Sequence, residues 1–284
     1  IVTHNGNFHA DDVFSIAALK CIFSSFNLIR TRDLAVIAQA DIVIDVGGEY
    51  NPDAGRFDHH QRGGAGEREN GIPYSSFGLI WKKYGLAICE NNQEVADAVD
   101  ADLVSTIDAI DCGYVKAISQ GISLTQTISM FNPTWQENGD FDACFDEAVD
   151  FASRVLTRFI ASASGGINAK DIVAKAIEGA EDPRVIVLAQ YTPWKRTVHA
   201  LSEEALYMIY PSNSGQWRIQ TVPVEPGSFD DRKPLPKEWA GLSDKGLKDV
   251  TGIDDAMFCH NGLFIAGAES FESTMKMASI ALQA

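Results

Sequence analysis

The chain has 284 residues, room for one large domain or two ordinary ones, and two suits the length better. Hydrophobic residues make up 45% and charged residues 22%, the balance of a globular protein, and no apolar run approaches the ~20 residues of a membrane-spanning helix. The formal net charge of −16 excludes a protein that grips nucleic acid with its whole surface, because neutralising phosphates supplies most non-specific affinity; any polyanion has to be met by bound metal and a local basic patch.

In chain order, Ile1-Val2-Thr3-His4 reads as a short buried strand ending at the Asn5-Gly6-Asn7 turn. Asp11 to Phe26 carries apolar residues at helical spacing behind an acidic first turn. Leu28 to Thr31 fits a second strand, and Asp41 to Val46, β-branched and closed by Gly47-Gly48, fits a clearer one. Strands separated by helices imply βαβ units, so the fold class expected is α/β, a mainly parallel sheet with flanking helices. Gly63 to Gly71 reads as a mobile loop, followed by helices over Ser75 to Tyr84, Gln93 to Ile110 and Phe141 to Ile160. Ser162 to Gly166 looks like a break before a further helix to Gly179, where the 178–183 stretch stops it. That stop places the domain boundary: residues 1–180 as the catalytic, metal-binding domain and 181–284 as a smaller α/β substrate-binding domain. In the latter, Ala205 to Tyr210 and Trp217 to Val222 form one hairpin, Met257 to Ala266 another around Asn261-Gly262, and Ser270 to Leu282 a final helix.

The five cysteines are odd in number, scattered and without a Cys-x-x-Cys pair, which suits buried thiols in a reducing, cytoplasmic compartment. The chain opens on Ile1 with no basic leader in view, so any segment removed ahead of it is not legible here.

Four of the six histidines lie within the first sixty residues, beside carboxylates. His4 and His9 flank a turn between a strand and a helix that opens on Asp11 and Asp12, the place where open α/β sheets bind ligands. Imidazoles and carboxylates converging there suit a divalent metal such as Mn²⁺ or Zn²⁺, although Asp11 or Asp12 could equally cap the helix. Asp45 ends a buried strand, either as a turn former or as a ligand reaching over the sheet. Asp58-His59-His60 sets three potential ligands in a row, ahead of Arg62; neighbouring side chains of an extended segment point opposite ways, so one imidazole can hold metal while the next meets substrate. Asp108 and Asp111 share a helix face among apolar neighbours, costly unless a cation compensates.

Through Thr3 to Asp11, Val43 to Gly48, Phe57 to Gly63 and Ile107 to Asp111, with Pro223 to Phe229 and Leu235 to Leu242 further on, the chain resembles the DHH phosphoesterase superfamily. The likeness is greatest to its Myg-type branch, the homologues of the melanocyte proliferating gene product. The resemblance implies that His4, His9, Asp11, Asp45, His59 and Asp111 hold two ions, Mn²⁺ foremost with Mg²⁺ or Zn²⁺ as alternatives. His9 stands where the wider superfamily has an aspartate, one residue later, so metal preference is not transferable from the superfamily's pyrophosphatases. The resemblance further implies a substrate in a cleft between domains, with Arg218 and His260 facing its phosphate; Lys195 is a candidate of the same kind.

The expected chemistry is attack of an activated water on a phosphodiester, with His60 donating to an oxygen and Asp58 and Arg62 beside it. The substrate class expected is single-stranded RNA or short oligonucleotides. A small phosphorylated metabolite or dinucleotide is the alternative that the acidity favours, and a metal-stabilised binding protein without turnover is the alternative outside enzymes. No His-Glu-x-x-His helix supports peptide hydrolysis, and homo-oligomerisation stays open.

Overall fold

The structure, a computed structural model, describes residues 1–115 and 121–284. The chain divides into two compact units, Ile1–Ser164 and Gly165–Ala284. Among the described residues no helix is long and apolar enough to cross a membrane, and the five cysteines are free.

The first unit begins with β1 (Val2–Thr3), α1 (Ala10–Ile22), β2 (Ile29–Arg30), α2 (Leu34–Gln39), β3 (Val43–Ile44), β4 (Tyr50–Asn51) and β5 (Arg56–Phe57). The sheet order is β2-β1-β3-β5-β4. Every pairing is parallel except β4 with β5, so β2, β1, β3 and β5 all end at one edge. The strands are only two residues long, yet β1 and β3 are buried. Val2, Val43 and Val46 pack with Ile37 of α2; α1 packs along α3 (Ser76–Ile88), with Phe14 against Phe77 at 5.4 Å between ring centroids. The expected helix over 93–110 is present as α4 (Gln93–Val99) and α5 (Ser105–Asp111), joined by one π turn, Asp100–Val104. Such single π turns recur beside functional sites. A short α6 (Leu124–Ser129) and α7 (Phe141–Asn168) follow.

The helix break and the place of the boundary both differ from expectation. The 162–166 stretch does not break the helix, since α7 runs through Gly165 and Gly166 to Asn168; a mid-helix glycine costs only about 1 kcal/mol against alanine, within reach of the packing of the helix on its apolar face. The 63–71 stretch, read as a mobile loop, is tied through Arg68 to Asp100 of the π turn and Asp108 of α5. The division between units falls inside α7, ahead of the helix stop at 178–183 that the boundary was read from. The reason lies in packing. Val173 of α8 (Lys170–Glu178) belongs to a core with Ile186, Leu188, Trp194, Val198 and Met208.

That second unit continues with β6 (Val185–Val187), α9 (Lys195–Leu201), β7 (Tyr207–Pro211), β8 (Trp217–Thr221), α10 (Asp244–Thr251), β9 (Ala256–Cys259), β10 (Ile265–Ala268) and α11 (Phe271–Gln283). Its sheet, β6-β7-β8-β10-β9, is antiparallel apart from β6 with β7. Both expected hairpins are present. A second core, with Tyr207, Ile209, Ile219, Trp239 and Met277, completes the packing of this sheet.

Candidate metal centre

The common edge of the parallel strands carries the chemistry. His4 follows β1, Asp45 follows β3, and Asp58, His59 and His60 follow β5, as expected for ligands gathered beyond the carboxyl ends of an open α/β sheet. Asp11 joins them from the first turn of α1 and Asp111 from the last residue of α5. A carboxylate at a helix N-terminus is favoured by the helix dipole, which offsets part of the cost of burying Asp11.

Asp45 is the hub. Its Oδ2 lies 3.2 Å from His4 Nε2 and its Oδ1 3.2 Å from His59 Nε2. His59 Nε2 is also 3.4 Å from Asp111 Oδ2 and 3.7 Å from Asp11 Oδ2. Asp45 has φ 57°, a left-handed conformation that aspartate tolerates better than most residues; it turns the chain sharply out of β3. Ligand atoms of His4, His9 and Asp45 lie within 4.8 Å of one another, and so do those of His9, Asp11 and Asp111 and of Asp45, His59 and His60. Cys112 comes within the same distance of His59 and Asp111, its Sγ 3.7 Å from His59 Nδ1.

The ligand loop between β1 and α1 is held from two sides. Arg30, nearly buried, donates to the Gly6 carbonyl at 2.6 Å and pairs with Asp142 at 2.8 Å. Asn132 bonds both the N–H and the carbonyl of Phe8, at 3.0 and 2.9 Å. Asp12 accepts the His9 N–H at 2.9 Å and places its other oxygen 3.3 Å from His4 Nε2. Ser76 donates to Asp11 Oδ2 at 2.8 Å. Of these four supporting residues only Asp12 was noticed in the sequence, as a neighbour of Asp11 and a possible cap. Each acts through a contact distant in sequence or through a carboxylate that reads equally well as a cap, and only the Ser/Asp-rich helix starts hinted at them.

The electrostatics ask for a cation. Asp11, Asp12, Asp45 and Asp58 are 0–3% exposed, and among the described residues no lysine or arginine lies within ion-pair distance of them. Burial, reinforced by the Asp45 charge, pushes the Asp11 carboxyl up. Burial and the Asp11 charge push Asp111 up to about 8. Burial works against a charged His59, yet the Asp45 carboxylate 3.2 Å away, Cys112 and the Asp11 charge outweigh it and lift its pKa to about 11. Asp11 Oδ1, Asp12 Oδ2, Asp45 Oδ1 and His59 Nε2 are buried without a hydrogen bond. Unpaired buried polar atoms of this kind are rare in folded proteins, and four converging in one place fit divalent ions, with an O/N ligand set suited to Mn²⁺ or Zn²⁺.

His60 differs from His59. Its side chain is 62% exposed, its Nδ1 lies 2.8 Å from Asp58 Oδ1, and Asp58 Oδ2 accepts the Gly48 N–H at 2.6 Å. Asp58 therefore orients His60, and both line an open pocket of about 290 Å³ with His4, His9, Asp45, Val46, Gly47 and Arg32.

Asp108 does not join the cluster. Its carboxylate accepts from Ser75 Oγ and the Gly78 N–H and pairs with Arg68 at 2.7 Å, while Arg68 also pairs with Asp100 at 2.7 Å. Arg62 is exposed and outside the pocket lining. In the second unit, Arg218 donates to Gln216 Oε1 at 2.9 Å and stacks over Phe258. His260 accepts the Gly262 N–H at 2.9 Å, and the Lys195 ammonium lies 6.0 Å from the Trp194 ring centroid.

A family model described as an uncharacterised protein family (UPF0160), and labelled for the MYG1 exonuclease, matches residues 1–282. Relatives named MYG1 exonuclease from Mus musculus and Homo sapiens are each 34% identical over 99% of this chain, and over 84% and 85% of their own. A MYG1 protein of Schizosaccharomyces pombe is 31% identical over 99% of this chain and 97% of its own. The chain belongs to this family. It is a hydrolytic enzyme. The solved structure of PggH, a pGpG-specific phosphodiesterase from Vibrio, has a TM-score of 0.35 at 10% identity over 99% of this chain and 97% of that one, too remote a likeness to bear on function.

Proposed function

We propose that this family member is a two-metal phosphodiesterase of the DHH kind that shortens single-stranded RNA or short oligonucleotides from an end. The observation that carries the reading is the Asp45 carboxylate, offering one oxygen to His4 and the other to His59 at the centre of buried acceptors that lack hydrogen bonds. His4, His9 and Asp45 would hold one ion; Asp11, Asp45, His59 and Asp111 would hold the second, with Mn²⁺ the best match to mixed imidazole and carboxylate donors. When bound, such a pair supplies charge to the phosphoryl oxygens and acidifies the attacking water. The family's exonuclease names support phosphodiester cleavage, and the net charge of −16 favours a short substrate over an extended duplex.

The protein's own residues divide the remaining work. The Asp58 carboxylate accepts from Nδ1–H of His60 and orients a ring that lines the pocket; protonated at Nε2, that ring can deliver a proton to the leaving oxygen. Arg62, on the loop beyond His60, is a candidate of the first unit for holding the rest of the substrate.

The test is hydrolysis of a 5′-labelled RNA oligomer by metal-stripped protein with Mn²⁺ added back. The reading expects a Mn²⁺-dependent ladder that disappears in His59→Ala. Intact RNA under every metal condition would remove the exonuclease, and a ladder undiminished in His59→Ala would remove this metal centre.

A further inference from the structure

Four parallel strands end at the site edge, and the metal centre accounts for three of them: His4 beyond β1, Asp45 beyond β3, and Asp58 to His60 beyond β5. The fourth, β2, runs out into Thr31, Arg32 and Asp33. Arg32 lines the same pocket of about 290 Å³ as His4, His9, Asp45, Asp58 and His60, and among the described residues it is the only lysine or arginine that does. We propose that Arg32 is the phosphate-holding residue of the first unit, its guanidinium taking a non-bridging oxygen of the phosphoryl group presented to the metal centre. The proposal rests on the phosphoester reading given above.

The backbone that carries Arg32 is fixed while its side chain is left free. Thr31 N–H donates to the Thr3 carbonyl at 2.8 Å, tying this segment to the strand that delivers His4. Asp33 N–H donates to Thr31 Oγ1 at 3.1 Å, and the Asp33 carboxylate caps α2 at the Ala35 N–H, 2.8 Å away. The nearest carboxylate in sequence is thus already engaged. Arg32 has neither an ion pair nor a hydrogen bond among the described residues, whereas Arg30, two positions earlier, is saturated by Gly6, Phe141 and Asp142. Arg32 is exposed, yet on the wall of a carboxylate-rich pocket it pairs with none of those carboxylates among the described residues, in a chain with 39 acidic residues against 23 lysines and arginines. The site's carboxylates turn towards imidazoles instead. A planar guanidinium matches phosphate oxygens in fork geometry and keeps its charge at any working pH. An anchored backbone with an uncommitted fork at the mouth of a metal centre is what recognition of a phosphoryl oxygen requires.

The competing explanation is that Arg32 only offsets the charge of the carboxylates; its loss would then change metal affinity and leave phosphate binding alone. Calorimetric titration separates the two, first with Mn²⁺ alone and then with 5′-AMP on the Mn²⁺-loaded protein, for wild type, Arg32→Ala and Arg32→Lys. The expected result is unchanged Mn²⁺ binding in both variants and 5′-AMP binding weakened about 10- to 100-fold in Arg32→Ala, the worth of one charge-assisted hydrogen bond. Arg32→Lys should recover part of the loss, keeping the charge without the fork. Unaltered 5′-AMP binding in Arg32→Ala, or a changed Mn²⁺ affinity with no separate effect on the nucleotide, would overturn the proposal while leaving the phosphoester reading intact. Wild-type protein that neither binds 5′-AMP nor cleaves RNA would overturn both.

Discussion

Asp45 and His59 meet at 3.2 Å, carboxylate oxygen to ring nitrogen, and they do so because Asp45 leaves its strand in a left-handed conformation, φ 57°. Asparagine accepts that backbone as readily as aspartate, so Asp45→Asn is a substitution that spares the turn and removes the charge. The variant is expected to fold normally by circular dichroism, to retain less than the full complement of Mn²⁺ by metal analysis, and to lose more than about 100-fold in activity, since even outer-shell partners of a metal command 10- to 100-fold. Full metal content with full activity would show that Asp45 is a turn former and nothing more.

The Asp58 carboxylate bridges Gly48 N–H and His60. In Asp58→Asn the single amide oxygen can satisfy one of these but not both, and His60 loses its charged partner. Turnover is expected to fall about 10- to 100-fold, within the range of a misplaced general acid, with Mn²⁺ content unchanged. A variant that instead sheds metal would make Asp58 a ligand rather than the orienting group.

Much of the centre was legible in the sequence because imidazoles and carboxylates are expensive inside a core and stand out there: His4, Asp11, Asp45 and His59 all sit against apolar strands or helices. The parallel sheet was legible too, although its strands are two residues long and carry almost no alternation of their own; apolar composition and the Gly47-Gly48 stop did that work. What stayed hidden depends on partners far along the chain. Asp108 and Asp111 look alike in sequence, one helical turn apart, and only the arrival of Arg68 and the bare Gly78 backbone beside Asp108 assigns one to an ion pair and leaves the other beside His59. Gly78 itself is fixed by this contact, because a Cβ there would overlap the Asp108 carboxylate. Arg30 and Asn132 hold the His4–His9 loop by contacts to residues 24 and 124 positions away, and no local pattern announces such a reach.

Arg68 ties residues 63–71 to the helical run of α4 and α5 through Asp100 and the fully buried Asp108. Removing one partner of a buried pair leaves the other charge uncompensated, at about 3–5 kcal/mol. Arg68→Ala should therefore lower the urea midpoint strongly and make the 63–71 stretch the first site of limited proteolysis. Unchanged stability and an unchanged cleavage pattern would mean that the pair is incidental to the loop.

Asp108 also sets a pH signature. Burial raises its carboxyl to about 6, despite the opposing charge of Arg68, whereas the unfolded chain titrates near 3.8. Between these two values the native state binds more protons than the unfolded state, so stability falls as pH rises from about 4 to about 6 and is level above that. At roughly 1.36 kcal/mol per unit the fall is on the order of 3 kcal/mol. The sign is opposite to that of a carboxylate stabilised by its ion pair, because here desolvation outweighs Arg68. Asp108→Asn has no proton to gain, so the difference in unfolding free energy between wild type and variant should shrink over this interval and stay constant above pH 7. Urea titrations of both proteins at half-unit steps from pH 4 to 7.5 measure it directly. A difference that grows with pH would mean that Arg68 holds Asp108 ionised throughout, with the ion pair outweighing burial.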